Sequence, residues 1–354
     1  MSDDIDPRET KRHPRRNGRL IGHGEAEAAV IAGWAGGKLH HAWLIAGPRG
    51  IGKATLAYRI ARFLFAQPDP PPAGTAPPHD LGVSADHVAF RHMVARSLPD
   101  LLVIEPAYDL KKKQVRGEIS VDEARRTTEF FARTAVGGGW RVAIVDAADD
   151  LNPNSANALL KVIEEPPART VFLIVAHAPG RLLTTIRSRC RRLELQPLDP
   201  RGVAEVIEGL PDFVAKKPGA VATAIALSAG SPGRALELVA SEAASAFAGF
   251  EDAMAASGRR PGDKLQAIAA RLASRGNIPD YHLFASLMGD WVARRAIAEA
   301  EAGRTRLARR WAEAHAGIGH SLREANILNL DRRETLLRAL ATITSIDASG
   351  HDSR

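Results

Sequence analysis

The sequence predicts an α/β P-loop domain built on a parallel sheet, followed by helical domains, and three observations carry that prediction. Between Leu39 and Leu195 short apolar runs alternate with amphipathic segments, the pattern of strand–helix units around a mostly parallel sheet. A glycine-rich loop, Gly47 to Thr55, joins the first of those runs to the first amphipathic segment. After Pro197 the strand signals vanish and the chain becomes almost continuously helical, with breaks at Gly230-Ser231-Pro232-Gly233, Gly258 to Gly262 and Gly276 to Pro279. At 354 residues the chain exceeds the ~250–300 at which a single hydrophobic core stops growing, so at least two domains are expected.

The elements follow in order. Candidate strands are Ala42–Ala46, Leu101–Glu105, Val142–Asp146, Val171–Ala176 and Arg192–Leu195. The helix opened by the glycine-rich loop carries Leu56, Ile60 and Leu64 on its apolar face. Gln67 to Asp80 holds six prolines and reads as an inserted loop. Ser120 with Glu123 forms a capping box ahead of a helix ending near Ala135, where Gly137-Gly138-Gly139 stops it. Asn152-Pro153 caps the next helix, Ala156, Leu159, Leu160 and Ile163 form its apolar face, and Pro166-Pro167 ends it. The tail after Ile346 is expected to fray.

Composition excludes several classes. With 45% hydrophobic, 25% charged and 5% aromatic residues the chain is neither fibrous nor wholly disordered. Cys190 is the single cysteine, so an internal disulfide and a cysteine-based zinc site are both ruled out. Residues 1–18 carry a basic Lys-Arg-His-Pro-Arg-Arg run and no apolar core of a secretory signal, and no window approaches the ~18 apolar residues of a membrane span. A cytoplasmic protein with no membrane partner is the expectation. A net charge of +7 suits nucleic acid or acidic protein partners. A solvated basic surface with a disordered basic tail accounts for it equally well.

Three motifs carry chemistry. Gly47-Pro48-Arg49-Gly50-Ile51-Gly52-Lys53-Ala54-Thr55 follows the strand Trp43-Leu44-Ile45-Ala46 and opens a helix, the context a P-loop requires. The glycines turn backbone N–H groups toward phosphate oxygens, the helix N-terminus adds positive dipole, and Lys53 supplies a point charge. Ala54, however, stands where a Ser or Thr hydroxyl binds Mg²⁺, and Thr55 lies one position along. Nucleotide binding therefore stands beside a loop retained as scaffold. The second motif is the strand ending in Asp146, where an acidic residue holds the metal through water; the following residue is Ala147, not a glutamate that orients attacking water. Asp149 and Asp150 read as solvating or capping groups. The third is Ser188-Arg189-Cys190, in which an arginine can stabilise transition-state charge on a phosphate in a neighbouring subunit, although Arg187, Arg189, Arg191 and Arg192 also suit a solvated basic edge.

The segments His40-His41-Ala42-Trp43-Leu44-Ile45, Asn157-Ala158-Leu159-Leu160-Lys161-Val162-Ile163-Glu164-Glu165-Pro166-Pro167, Phe172-Leu173-Ile174 and Ile186-Arg187-Ser188-Arg189-Cys190 together resemble the AAA+ clamp-loader ATPase family of bacterial DNA polymerase III. The resemblance is dense from Leu20 to Leu198, looser through Gly230 to Ala235, and beyond Ser241 rests on helical character. It implies a disordered basic tail over 1–19, an AAA+ domain over 20–198, a small helical lid over 199–242, a helical collar over 243–346 and a disordered tail over 347–354. It further implies a five-subunit ring that opens a sliding clamp on primed DNA, with gamma or tau and delta subunits as neighbours. Arg189 would then be the finger reaching an ATP held next door. Ala54 and Ala147 match the branch of the family that does not hydrolyse; an active ATPase like gamma or tau, using Asp146 and Asp149, is the alternative. ATP or ADP is admitted at the P-loop, with Mg²⁺ left open.

Several departures bear on function. Family members carry a four-cysteine zinc module after the P-loop helix, whereas this region holds Pro70 to Pro72, His79, His87 and His92, so no zinc is expected. The active subunits' nucleotide-sensing lid arginine aligns with Gly233, and Arg234 is one step off, about 100° around a helix. Ala176-His177 stands where active subunits carry hydroxyl residues. A P-loop metabolic kinase would need a self-contained substrate pocket and no long helical C-terminus, which the stretch Asp199 to Ile346 opposes.

Overall fold

The computed structural model describes residues 10–67, 76–110, 114–136, 138–210, 213, 219–255, 262–274, 277–328 and 330–351. The chain divides into two compact units, the first running to Phe213 with Ala229–Gly233 added, the second comprising Val214–Ser228 and Arg234 onward.

The first unit holds, in order, α1 (Gly24–Ala35), β1 (Ala42–Ala46), α2 (Lys53–Ala66), α3 (Val88–Val94), β2 (Leu101–Ile104), β3 (Tyr108–Asp109), β4 (Gln114–Val115), α4 (Val121–Ala132), β5 (Arg141–Val145), α5 (Pro153–Glu164), β6 (Thr170–Ala176), α6 (Thr184–Arg189), β7 (Arg191–Glu194) and α7 (Pro200–Glu208). Five strands form one sheet in the order β2-β5-β6-β1-β7, and all four pairings are parallel. This is the α/β P-loop architecture that the alternating pattern predicts. Strands buried on both faces need apolar residues at consecutive positions, and β1, β5 and β6 are buried throughout. The period of two then divides them. Trp43, Ile45, Ile144, Leu173 and Val175 pack with Ile31, Trp34, Leu56, Ile60 and Phe63 from α1 and α2, while Leu44, Val145, Phe172 and Ile174 meet Phe131, Leu159 and Ile163 from α4 and α5 on the opposite face.

The caps are where the sequence places them. Ser120 Oγ accepts from Glu123 N at 3.2 Å while the Glu123 carboxylate accepts from Ser120 N at 2.6 Å. Asn152 Oδ1 accepts from Asn154 N and Ser155 N at 3.1 and 2.9 Å, satisfying two of the orphan donors that open α5. β2, β5, β6 and β7 each move by one residue at one or both ends from the expectation, so that β5 closes at Val145, one residue before Asp146. The β3–β4 hairpin is new, because two-residue strands have no readable period. α4 ends at Ala132, short of Ala135. The expected glycine stop begins at Gly137, which lies outside the described residues, as does most of the proline-rich stretch, 68–75.

The N-terminal segment departs from the expectation. The tail expected to be disordered over 1–19 is ordered from residue 10, with His13 and Arg15 buried; residues 1–9 lie outside the described residues. Its anchors are two buried arginines of α2. Arg62 donates to the carbonyls of Arg15 (2.8 Å) and Asn17 (3.2 Å) and lies 4.0 Å over the Phe90 ring, while Arg59 donates to Gly18 O and pairs with Glu27 at 2.6 Å. These guanidiniums need acceptors inside the fold, and main-chain carbonyls of the arriving segment supply them.

The second unit is all-helical among its described residues: α8 (Ala220–Leu227), most of α9 (Pro232–Ala240), α10 (Ala243–Ala255), α11 (Gly262–Leu272), α12 (Ile278–Glu301), α13 (Thr305–Leu328) and α14 (Arg332–His351). Its core is aromatic. Phe250 lies edge-on to Trp291 at 5.2 Å, and Trp291 meets Trp311 at 5.7 Å. α14 continues to His351, past Ile346, where the sequence suggested fraying. No described helix is long and apolar enough to cross a membrane.

Candidate functional site

The site gathers at the C-terminal ends of β1, β5 and β6, where open parallel sheets present their ligand crevices. The P-loop leaves β1 at Gly47, whose φ of 144° and a gap of 2.4 Å from a would-be Cβ to Leu195 O admit only glycine. Every carbonyl from Gly47 to Ile51 is then taken by a donor. Lys53 Nζ donates to Gly47 O (2.7 Å) and Pro48 O (2.5 Å), and Ser231 Oγ to Arg49 O (2.9 Å). Gly233 N donates to Gly50 O at 2.9 Å, and His23 Nε2 to Ile51 O at 2.8 Å. Three of these carbonyls are held by groups from outside the loop, whereas those of Gly47 and Pro48 are held by Lys53, the side chain that would meet a phosphate. A Cβ at Gly233 would stand 2.9 Å from Gly50 Cα, so a side chain at the position where active subunits align their arginine displaces the loop.

The acidic and basic groups of the crevice act on one another. Lys53 is buried, which pushes its ammonium down to about 8, while Asp146 and Asp149 pull it back up. Burial, then Glu105, pushes the Asp146 carboxyl up to about 6, with Lys53 opposing. His177 is pushed down to about 4 by burial and by Lys53, and its Nδ1 is buried without a hydrogen-bond partner. His177 is therefore neutral at pH 7.

Asp149 has a different role from either expectation. Its carboxylate accepts from His177 N at 2.5 Å and Ala178 N at 2.7 Å, fixing the turn that leaves β6, whereas α5 is capped by Asn152. Ala147 follows Asp146 with no group able to polarise water. Ala54 and Thr55 lie in the first turn of α2, half-buried. Arg234 pairs with Asp290 of α12 at 2.6 Å inside the helical unit.

Arg189 is not part of this crevice. It is the last residue of α6, its side chain 39% exposed, with Nη2 at 2.8 Å from Glu164 and Nη1 donating to Thr185 O at 3.1 Å. The basic edge around it is differentiated: Arg192 pairs with Glu194 at 2.8 Å, and Arg191 lies 5.1 Å over the Trp43 ring. Cys190, which follows, is half-buried, and burial raises its thiol to about 12. Among the described residues no group of three or more His, Cys, Asp or Glu side chains is placed to hold a metal ion.

Sequence reasoning singles out the P-loop, Asp146 and Arg189, of which the structure brings Lys53 and Asp146 together and leaves Arg189 apart, and it does not single out His23. A single histidine ahead of a helix leaves no periodic or spacing signal, and only the fold brings it to Ile51.

A family model described as DNA polymerase III, delta subunit, matches residues 23–199. The DNA polymerase III subunit delta' of Pseudomonas aeruginosa is 37% identical over 193 residues, 54% of this chain and 53% of that protein. Its counterpart in Escherichia coli K12 is 36% identical over 209 residues, 59% of this chain and 57% of that protein. The tau subunit of Escherichia coli K12 is 29% identical over 230 residues, 64% of this chain and 33% of that protein. The chain spans about half the length of the curated delta' relatives it matches.

Proposed function

Because the chain belongs to the DNA polymerase III delta subunit family, we propose that it serves as the delta' subunit of a clamp loader, completing the ring and supplying Arg189 in trans. On this reading its neighbours are gamma or tau and delta subunits, and the assembled complex acts on a sliding clamp and primed DNA during replication. Residues 199–242 would form the lid and 243–346 the collar.

The observation that carries the reading is the separation of two kinds of machinery. Arg189 stands exposed at the end of α6, outside the crevice of Lys53 and Asp146, while that crevice holds Ala54 and Ala147 where a hydrolysing site needs a hydroxyl and a carboxylate. The residues fit a phosphate better than a metal. Lys53 and the N-terminus of α2 are suited to phosphate oxygens. Asp146 alone is left to meet Mg²⁺ through water. ATP or ADP bound here would be structural, and its phosphates would draw Lys53 Nζ off the carbonyls of Gly47 and Pro48.

The alternative, a gamma- or tau-like ATPase, has the match to tau subunits in its favour. It needs Asp149 or a water network in place of the missing glutamate, and the two backbone N–H groups on the Asp149 carboxylate oppose the first of these. Reconstitution with gamma or tau, delta, clamp and primed DNA of the same organism tests the choice. Arg189→Ala is expected to keep assembly and lower turnover at the adjoining site by about 10³-fold or more, the order seen for such fingers. Unchanged turnover refutes the finger, and ATP hydrolysis by the isolated chain supports the alternative.

A further inference from the structure

The Arg189 guanidinium is already occupied. Nη2 sits 2.8 Å from Glu164 Oε1, Nη1 donates to Thr185 O at 3.1 Å, and Ser188 Oγ lies 3.5 Å from the same nitrogen. Each edge by which a guanidinium grips an oxyanion bidentately uses one of the two Nη2 hydrogens, so an incoming phosphate either displaces Glu164 from its edge or binds the other edge beside the carboxylate's negative charge. The carboxylate is itself set up to seek a cation. Glu164 ends α5, where the helix dipole is negative, and Pro166-Pro167 prevents the helix from carrying the charge further along.

From this geometry we propose that Glu164 is a positioning residue that parks Arg189 against its own subunit, and that engagement in trans exchanges the Glu164 carboxylate for a phosphate oxygen of the neighbour's nucleotide. The proposal rests on the reading of Arg189 as a trans finger, and its strength follows from exposure. With the two side chains 39% and 40% exposed, the pair is a screened surface contact, of the size that shifts an equilibrium by about two- to fivefold. It is strong enough to hold the side chain down in the free subunit. A nucleotide phosphate, carrying more charge and buried at an interface, displaces it.

Two measurements test the proposal. In the free subunit, phenylglyoxal modification of Arg189, followed by peptide mass mapping, is expected to run about two- to fivefold faster in Glu164→Gln than in the parent, with Arg192 unchanged as the internal reference. Equal rates at Arg189 overturn the parking contact. In the reconstituted ring, Glu164→Gln is expected to lower KM for ATP by a similar factor and leave kcat within about twofold. A fall in kcat at constant KM shows instead that Glu164 holds the finger in its productive orientation, and overturns parking. If Arg189→Ala leaves hydrolysis untouched, the trans finger fails by itself; the modification rates still decide whether Glu164 holds the side chain.

Discussion

Replacing Gly233 with alanine probes how the P-loop is held. Gly233 N–H donates to Gly50 O, and an added Cβ would lie 2.9 Å from Gly50 Cα and 3.1 Å from Gly50 O, both backbone atoms that cannot rotate away. Forcing one carbon into such a contact costs about 1–3 kcal/mol, while alanine's smaller unfolded-state freedom returns about 0.4–1 kcal/mol. The net is a loss of roughly 1 kcal/mol, which in a unit of some 200 residues lowers Tm by about 2–4 °C. Gly33, inside α1, is the control: a Cβ there meets Leu39 at ordinary distances of 3.5 and 3.6 Å. Gly33→Ala should therefore raise stability by about 0.5–1 kcal/mol. Differential scanning calorimetry of the full chain reads the transition of the first unit for each variant. A Gly233→Ala protein as stable as the parent, with Gly33→Ala behaving as expected, refutes the close approach of the 229–233 segment to the loop.

Two further perturbations address the buried charges. The Asp146 carboxyl, raised from 3.8 to about 6, makes the folded state bind more protons than the unfolded one between about pH 4 and 6, so this group's contribution to stability falls as pH rises through that window. Asp146→Asn removes the term and should gain about 1–3 kcal/mol above pH 6. His177, lowered to about 4, works in the opposite sense between about pH 4 and 6.5. The readout is therefore the difference in urea midpoint between variant and parent at pH 4 and pH 8; a difference that does not grow with pH contradicts the raised carboxyl. Glu27→Leu leaves the Arg59 guanidinium buried without its carboxylate and should cost about 3–5 kcal/mol. Adding Arg59→Met should recover more than half of that loss in chemical denaturation, and a double variant no better than the single one excludes a stranded charge as the cause.

The elements that could be read in advance share a local cause. β1, β5 and β6 are visible because strands covered on both faces must be apolar at every position, and the starts of α4 and α5 are visible because Ser120 and Asn152 satisfy donors within three residues of themselves. The β3–β4 hairpin and the ordered segment from residue 10 were not visible, since one is too short for a period and the other depends on arginines more than forty residues away.

The candidate site divides in the same way. The sequence by itself determined that a glycine-rich loop from Gly47 would join a strand to the helix carrying Lys53, that Asp146 would fall at the C-terminal end of a strand, which closes one residue earlier at Val145, and that Ala54 and Ala147 bring neither a hydroxyl nor a carboxylate, because identity and spacing along the chain are enough to fix each of these. Only the tertiary structure decided what holds the loop, with His23, Ser231 and Gly233 arriving from distant stretches to take its carbonyls, and what holds the arginine, with Glu164 meeting Arg189 across α5 and α6. Those contacts join residues far apart in sequence, and they exist only after the two faces of the sheet have been buried and the helices set in place.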